Sequence, residues 1–328
     1  MSDPVVSRQP IAPLAEMKRY RIFGGTLASD VALPELRESD EATATWTIRI
    51  SPEVAARAGR QLGEKDVVGY DATMRLLQLD DGGYRLEYSD TGTFDVSADG
   101  RDIQWTPLPT TIEALARVDI TSLVLSTALH AAGAIALHAS GVVVNGKGIG
   151  FCAPKFYGKS TIAMALTYAG ALLLTDDTLA IDEGVPPMCI PGVHSVRLRS
   201  EAAARFPRTK EVPPPPFPDG RVVDELPPSQ LAPARAPLGA LYMLTPMNPA
   251  PDRPAVVRRL LPTPQAALSI LGFAKMGELF RAAHAATTFE RATHIAQHTP
   301  VYALEIVRDM NRIEEVAETI VRWHEGDA

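Results

Sequence analysis

Residues 149–177 read IGFCAPKFYGKSTIAMALTYAGALLLTDD, and this stretch decides the fold. A short apolar strand, 149–152, runs into a loop that ends Gly158-Lys159-Ser160-Thr161. An alanine-rich segment, 160–169, then predicts a helix, and Gly170 is placed to end it. Residues 172–175 predict a buried return strand that stops at Asp176-Asp177, 17 and 18 residues after Lys159. Strand, loop and helix in that order aim backbone N–H groups and the positive end of the helix dipole at an anion. Ala153 through Ser160 fits the looser phosphate-loop pattern, with alanine for the first glycine. The expected phosphate contacts are Ala153, Lys155, Tyr157, Gly158, Lys159, Ser160 and Thr161. Lys159 would reach the outer phosphates of a nucleotide, and the Ser160 hydroxyl would meet Mg²⁺. The plainer alternative is a capped helix start with an exposed lysine.

The acidic pair strengthens the nucleotide reading. A helix of about three turns and one return strand consume the spacing, which brings the carboxyl end of that strand beside the loop. One carboxylate would hold or orient Mg²⁺ and the other would accept the proton of an attacking hydroxyl. An ordinary Asp-Asp turn is the alternative. Upstream, 142–144 and 149–151 flank Asn145-Gly146-Lys147-Gly148, a hairpin signal. The strand entering the loop thus comes from a hairpin and not from a helical crossover.

Outward from this core, residues 20–110 predict a β-rich region. Segments 45–50, 74–79, 83–88 and 103–105 are its candidate strands, forming an antiparallel sheet with one wet face and its carboxylates mostly in turns. Residues 110–132 predict a helix capped by Thr110 or Thr111, with Glu113 in its first turn and an apolar face through Leu115, Val118, Leu123 and Leu125. Segments 135–137, 238–244 and 301–307 predict strands; 264–271, 277–286 and 312–324 predict helices. Residues 207–237 hold ten prolines and predict a loop or lid. The division expected is a β-rich domain, 1–110, followed by an α/β domain, 111–328.

Composition sets limits. Of the 328 residues, 46% are hydrophobic and 22% charged, the balance of a globular protein. A net charge of −7 carries no basic footprint for nucleic acid. The two cysteines, Cys152 and Cys189, are too few for a disulfide framework or a metal site and predict buried thiols. Residues 1–13 do not read as a signal peptide, and the longest apolar stretch, 121–139, carries two histidines and several hydroxyls. A cytoplasmic protein without a membrane span is expected.

Leu137-His138-Ala139-Ser140, the hairpin, the loop and Leu174-Thr175-Asp176-Asp177 together resemble the C-terminal domain of HPr serine kinase/phosphorylase. The resemblance covers roughly 135–199, with weaker likeness at 238–244, Pro300-Val-Tyr-Ala-Leu-Glu and Arg308-Asp309. Residues 20–36 resemble the β-rich start of shorter HPr-kinase-like proteins, among them lasso peptide kinases that phosphorylate a precursor peptide on serine. The resemblance implies a fold akin to phosphoenolpyruvate carboxykinase and phosphoryl transfer from ATP, with Mg²⁺, to a hydroxyl. It marks His138, Lys159, Ser160, Asp176 and Asp177 as functional. Asp176 is expected as the base and Asp177 with Ser160 near the metal, with the reverse order open. His138 would touch the phosphates or the acidic pair; a core histidine is its alternative. A homo-oligomer is suggested by the likeness alone.

The sequence also departs from that family. Two loop glycines are replaced by Ala153 and Phe156, Pro154 removes an N–H donor, and Lys155 adds a charge suited to phosphate or an acidic substrate. The signature after the acidic pair is replaced by Ile190-Pro-Gly-Val-His194-Ser-Val-Arg197-Leu-Arg199, in which Arg197 is a candidate phosphate or substrate contact. Three functions follow as expectations: a kinase for a peptide or protein hydroxyl, a kinase for a small metabolite, and a non-catalytic nucleotide-binding module.

Overall fold

The computed structural model describes residues 11–67, 71–206, 221–250, 252–277 and 285–325. The expected helix at 277–286 and the first half of the proline-rich segment, 207–220, fall largely outside these residues. The chain forms two compact units. The first comprises Met1–Tyr20, Gly25–Pro34 and Glu38–Ala132; the second comprises Arg21–Gly24, Glu35–Arg37 and Gly133–Ala328. The helical stretch after residue 110 therefore counts with the first unit, and not with the second as the sequence suggested.

Nine strands lie mostly in the first unit, with Arg21–Ile22 of β1 and Arg37 of β3 counted in the second: β1 (Lys18–Ile22), β2 (Gly25–Ser29), β3 (Arg37–Glu38), β4 (Trp46–Ile50), β5 (Gly59–Asp66), β6 (Thr73–Leu79), β7 (Tyr84–Tyr88), β8 (Gly92–Val96) and β9 (Asp102–Thr106). They form one sheet in the order β3-β1-β2-β4-β9-β8-β7-β6-β5. One feature corrects the sequence reading. The sheet is mixed, because β4 pairs parallel to both β2 and β9. One face stays wet as expected, with Thr73 and Arg75 of β6 and Asp102 and Gln104 of β9 exposed, although Arg85 of β7 is buried on that side. Arg85 tolerates this because Asp95 of β8 receives it bidentately, at 2.6 and 2.7 Å. Asp95 is thus a buried strand carboxylate and not a turn residue.

Helices α1 (Glu113–Asp119) and α2 (Leu125–Ala131) are joined by a π-helical stretch, Ile120–Val124. The wider turn lengthens the repeat toward four residues, so the buried face runs through Ala116, Ile120, Val124 and Ala128. Of the face expected from a 3.6-residue period only Leu125 is buried. The cap also differs. Thr111 turns back to accept from Leu108 N and donate to Thr91 O, and Ile112 stands at the N-cap without a side-chain bond.

The second unit contains β10 (Ile135–Leu137), β11 (Ala139–Val144), β12 (Lys147–Cys152), α3 (Lys159–Tyr168), β13 (Leu172–Thr175), β14 (Leu179–Asp182), β15 (Met188–Ile190), β16 (Ser195–Arg199) and α4 (Ser200–Ala203). It continues with β17 (Arg221–Glu225), β18 (Ala236–Met247), β19 (Val256–Leu260), α5 (Thr263–Phe273), α6 (Ala285–His298), β20 (Val301–Val307) and α7 (Ile313–Trp323). Its main sheet runs β10-β14-β15-β18-β12-β11-β13, with β20 against β18 and β19 against β20. Strands β16 and β17 form a separate antiparallel pair.

Alternation along β18 shows how the core is divided. Ala240, Tyr242 and Leu244 pack with α3 and α7, through Ile162, Leu166, Val316 and Ile320. Leu241 and Met243 pack with α5 and α6, through Ala266, Ile270, Ala292 and Ile295. The period of two sends successive side chains to opposite faces, giving a helix–sheet–helix sandwich. Each fully buried Ile or Leu here contributes about 1.5–3 kcal/mol.

Candidate active site

The hairpin β11–β12 turns on Asn145 and Gly146, both at positive φ (48° and 76°), as a two-residue type I′ loop requires. β13 then pairs antiparallel to β11. Two antiparallel steps make β13 run parallel to β12. Gly141 faces both Gly150 and Thr175, so Thr175 is level with Gly150. The acidic pair after β13 and the loop after β12 therefore emerge at the same end of the sheet.

His138 is placed by a break between strands. β10 pairs with β14, whereas β11 pairs with β12 and β13, and His138 is the residue between them. Its backbone N–H donates to Phe273 O at 2.8 Å. Helix α3 starts after Gly158, whose φ of 96° suits glycine, and Ile162 N returns to Gly158 O at 2.9 Å.

Two consecutive carboxylates point different ways because Asp177 sits in the left-handed region, φ 67°, which aspartate tolerates. Asp176 is 4% exposed. It accepts from Ser140 Oγ at 2.5 Å, from Ser160 Oγ at 2.9 and 3.1 Å, and from Arg197 N at 3.1 Å. Asp177 instead meets Lys275 Nζ at 2.5 Å, and its Oδ1 lies 3.4 Å from His138 Nδ1. Burial alone would push the Asp177 carboxyl up. The Lys275 ammonium, with help from His138 and Arg197, outweighs it and holds the group well below the usual carboxylate range.

Lys159 is nearly buried, and its Nζ donates to Ala153 O (2.7 Å), Pro154 O (3.1 Å) and His138 Nε2 (3.1 Å). Burial lowers the pKa of this ammonium, against the pull of Asp177 and Asp176. With Nε2 accepting from Lys159, the imidazole proton belongs on Nδ1, facing Asp177 O at 3.3 Å.

No protein-family model matches the chain, and no curated protein matches it. Among solved structures it is similar to the Hpr(Ser) kinase/phosphatase from Coxiella burnetii, at 15% identity over 58% of this chain and 91% of that one. The TM-score is 0.33, so the site is read from its own residues.

His138, Lys155, Gly158, Lys159, Ser160, Thr161, Asp176, Asp177 and Arg197 line one cleft, as do Phe156 and Arg199. Ala153 takes part through its carbonyl. Tyr157 is 40% exposed, with the Arg308 guanidinium 5.9 Å from its ring centre. Phe156, at φ 69° and half exposed, lies under the Arg199 guanidinium at 4.9 Å. Arg197, expected as a phosphate contact, also anchors Asp176 through its backbone. The geometry sets Ser160 against Asp176 and not against Asp177.

Three residues escaped the sequence reading. Ser140 falls within the motif that carries the resemblance, and nothing in the sequence gives it a task. Arg199 carries the aromatic contact. Lys275 follows α5 in an apolar setting, Phe273-Ala274-Lys275-Met276; a lone lysine between apolar residues is the signal the sequence offers. Both cysteines are buried, and burial pushes the Cys152 thiol up to about 12, which leaves it inert.

Ser160 and Asp176 offer an oxygen-only pair, the donor type a hard divalent cation takes. Among the described residues no group of three or more His, Cys, Asp or Glu is arranged to hold a metal by itself. That set suits Mg²⁺, which keeps waters and substrate phosphates in its shell. Among the described residues no helix is long and apolar enough to cross a membrane.

Proposed function

We propose that this chain is a kinase that binds ATP with Mg²⁺ and transfers the terminal phosphoryl group to a hydroxyl, most naturally a serine of a peptide or protein. The observation that carries this reading is the convergence of Lys159, Ser160, Asp176 and Asp177 on one cleft at the start of α3. Ser160 and Asp176 would hold Mg²⁺, which supplies charge neutralisation on the phosphates. The backbone N–H groups of 158–161 face the phosphates, and Lys159 exchanges the carbonyls of Ala153 and Pro154 for phosphate oxygens.

Asp177 orients the acceptor hydroxyl and takes its proton. This reverses the order first expected within the pair, because Ser160 meets Asp176, which is 4% exposed, whereas the Asp177 side chain is 27% exposed to the cleft. A carboxylate held low is a weak base. That suits a loose transition state, in which positioning and electrostatics supply most of the rate.

The test is incubation with γ-labelled ATP and Mg²⁺, with serine-containing peptides and with small alcohols as acceptors. Label on a peptide, lost in Lys159→Met and Asp177→Asn, supports the reading. One observation favours a second reading, a non-catalytic nucleotide-binding module: Lys159 is tied to its own loop, and Pro154 and Phe156 replace freer residues there. Tight nucleotide binding with no transfer to any acceptor would support that module instead.

A further inference from the structure

Lys275 comes from a part of the chain 98 residues beyond Asp177, yet its ammonium sits on the acidic pair. Its side chain is 6% exposed, against 27% for Asp177. The ammonium donates to Asp177 Oδ2 at 2.5 Å and also to Thr178 Oγ1. The backbone fixes it there. Lys275 N donates to Ala136 O at 2.8 Å, Ala274 bridges to Leu137, and Phe273 O receives His138 N. The turn after α5 is thus stitched to β10 and His138 at Lys275 and at the two residues before it.

A row of contacts results: Lys275 to Asp177 Oδ2, Asp177 Oδ1 to His138 Nδ1, and His138 Nε2 to Lys159 Nζ. Three of its four members line the cleft; Lys275 stands behind. Burying an ammonium is costly unless it is paired, so its presence here calls for a reason beyond packing. We propose that Lys275 is a positioning residue for the transfer: it clamps Oδ2 of Asp177 so that Oδ1, steadied by His138, faces the acceptor hydroxyl. This rests on the kinase reading above. The ammonium acts through Asp177 and touches neither nucleotide nor acceptor.

The experiment compares Lys275→Met, Lys275→Arg, Asp177→Asn and the double variant Lys275→Met/Asp177→Asn in the full chain. Label-transfer kinetics, calorimetric Mg-ATP binding and thermal unfolding are measured on each. Lys275→Met is expected to lower kcat at least 30-fold while Mg-ATP affinity stays within threefold of the parent. Lys275→Arg, which keeps the charge, is expected to recover kcat to within tenfold. In thermal unfolding, the double variant is expected to lose less than the sum of the two single losses, because neither partner is left buried alone. A kcat within threefold of the parent in Lys275→Met overturns the proposal, and so does parallel loss of kcat and affinity. Strictly additive unfolding losses overturn it too, and remain readable where a single variant is too unstable to assay. If the parent chain labels no acceptor, the kinase reading fails, and the unfolding cycle alone decides whether Lys275 holds Asp177.

Discussion

Ser160 Oγ donates to Asp176, 2.9 Å from one carboxylate oxygen and 3.1 Å from the other. A hydroxyl at the first turn of α3 and a carboxylate at the end of β13 are thereby joined. Ser160→Ala removes one member of that oxygen pair and leaves Asp176 bonded to Ser140 and Arg197 N. The expected outcome is Mg²⁺-dependent nucleotide affinity weakened about 10- to 100-fold, the scale of one charge-assisted interaction of about 1.5–3 kcal/mol. Folding should be little affected. Calorimetry with and without Mg²⁺ checks it; unchanged metal dependence would count against the pairing.

Ser140 is fully buried in the second unit, and its hydroxyl donates to Asp176 at 2.5 Å. Ser140→Ala should cost about 1–3 kcal/mol in urea unfolding, since a buried carboxylate loses one donor. Asp176→Asn should cost at least as much, because its amide nitrogen cannot accept from Ser140, Ser160 or Arg197 N together. A loss under about 0.5 kcal/mol for both would mean that the network is not held in the folded protein.

Stability should rise with pH through the buried groups at both the acid and the alkaline end. Asp177 is held below its unfolded value, so it contributes stability above the ordinary carboxylate range, and this is lost as pH falls through its folded value. Asp177→Asn should flatten that acid limb. Lys275 and Lys159 are both lowered by burial, so the unfolded chain holds more protons at alkaline pH. Stability should therefore rise as pH climbs toward the ordinary lysine value, and Lys275→Met should shallow that rise. Urea midpoints across pH 3–10 read both limbs.

In the first unit, Arg85 and Asp95 form a bidentate pair with side chains 8% and 6% exposed. Breaking it from one side, Asp95→Asn, should destabilise by about 3–5 kcal/mol. Replacing both, Arg85→Met with Asp95→Leu, should restore much of that loss. Thermal unfolding of the two variants checks it, and equal losses in the single and the double variant would contradict it.

Much of the second unit was legible because local rules and tertiary structure agree there. The Asn-Gly turn, the glycine before α3, and the apolar strands before the loop and the acidic pair each have one physical reading. β20 and α7 fell where periodicity placed them, at Val301–Val307 and Ile313–Trp323. The first unit was harder. The parallel partners of β4 are distant in sequence, and no local pattern reports direction. Arg85 looked like the wet side of an alternating strand, since burial of a charge depends on a partner 10 residues away. The π-helical turn moved the buried face of α1–α2 off its expected phase. In the cleft, the residue types were legible and their pairing was not. Which aspartate faces Ser160 depends on the left-handed conformation of Asp177, and Lys275 arrives through a turn that carries no motif.

The most direct measurement is calorimetric titration of ATP into the full chain with Mg²⁺ present, alongside Lys159→Met. The expected result is one saturable site in the parent that weakens sharply when Mg²⁺ is withheld and disappears in the variant. No uptake by the parent at millimolar nucleotide, or equal uptake by Lys159→Met, would contradict a phosphate cradle at the start of α3.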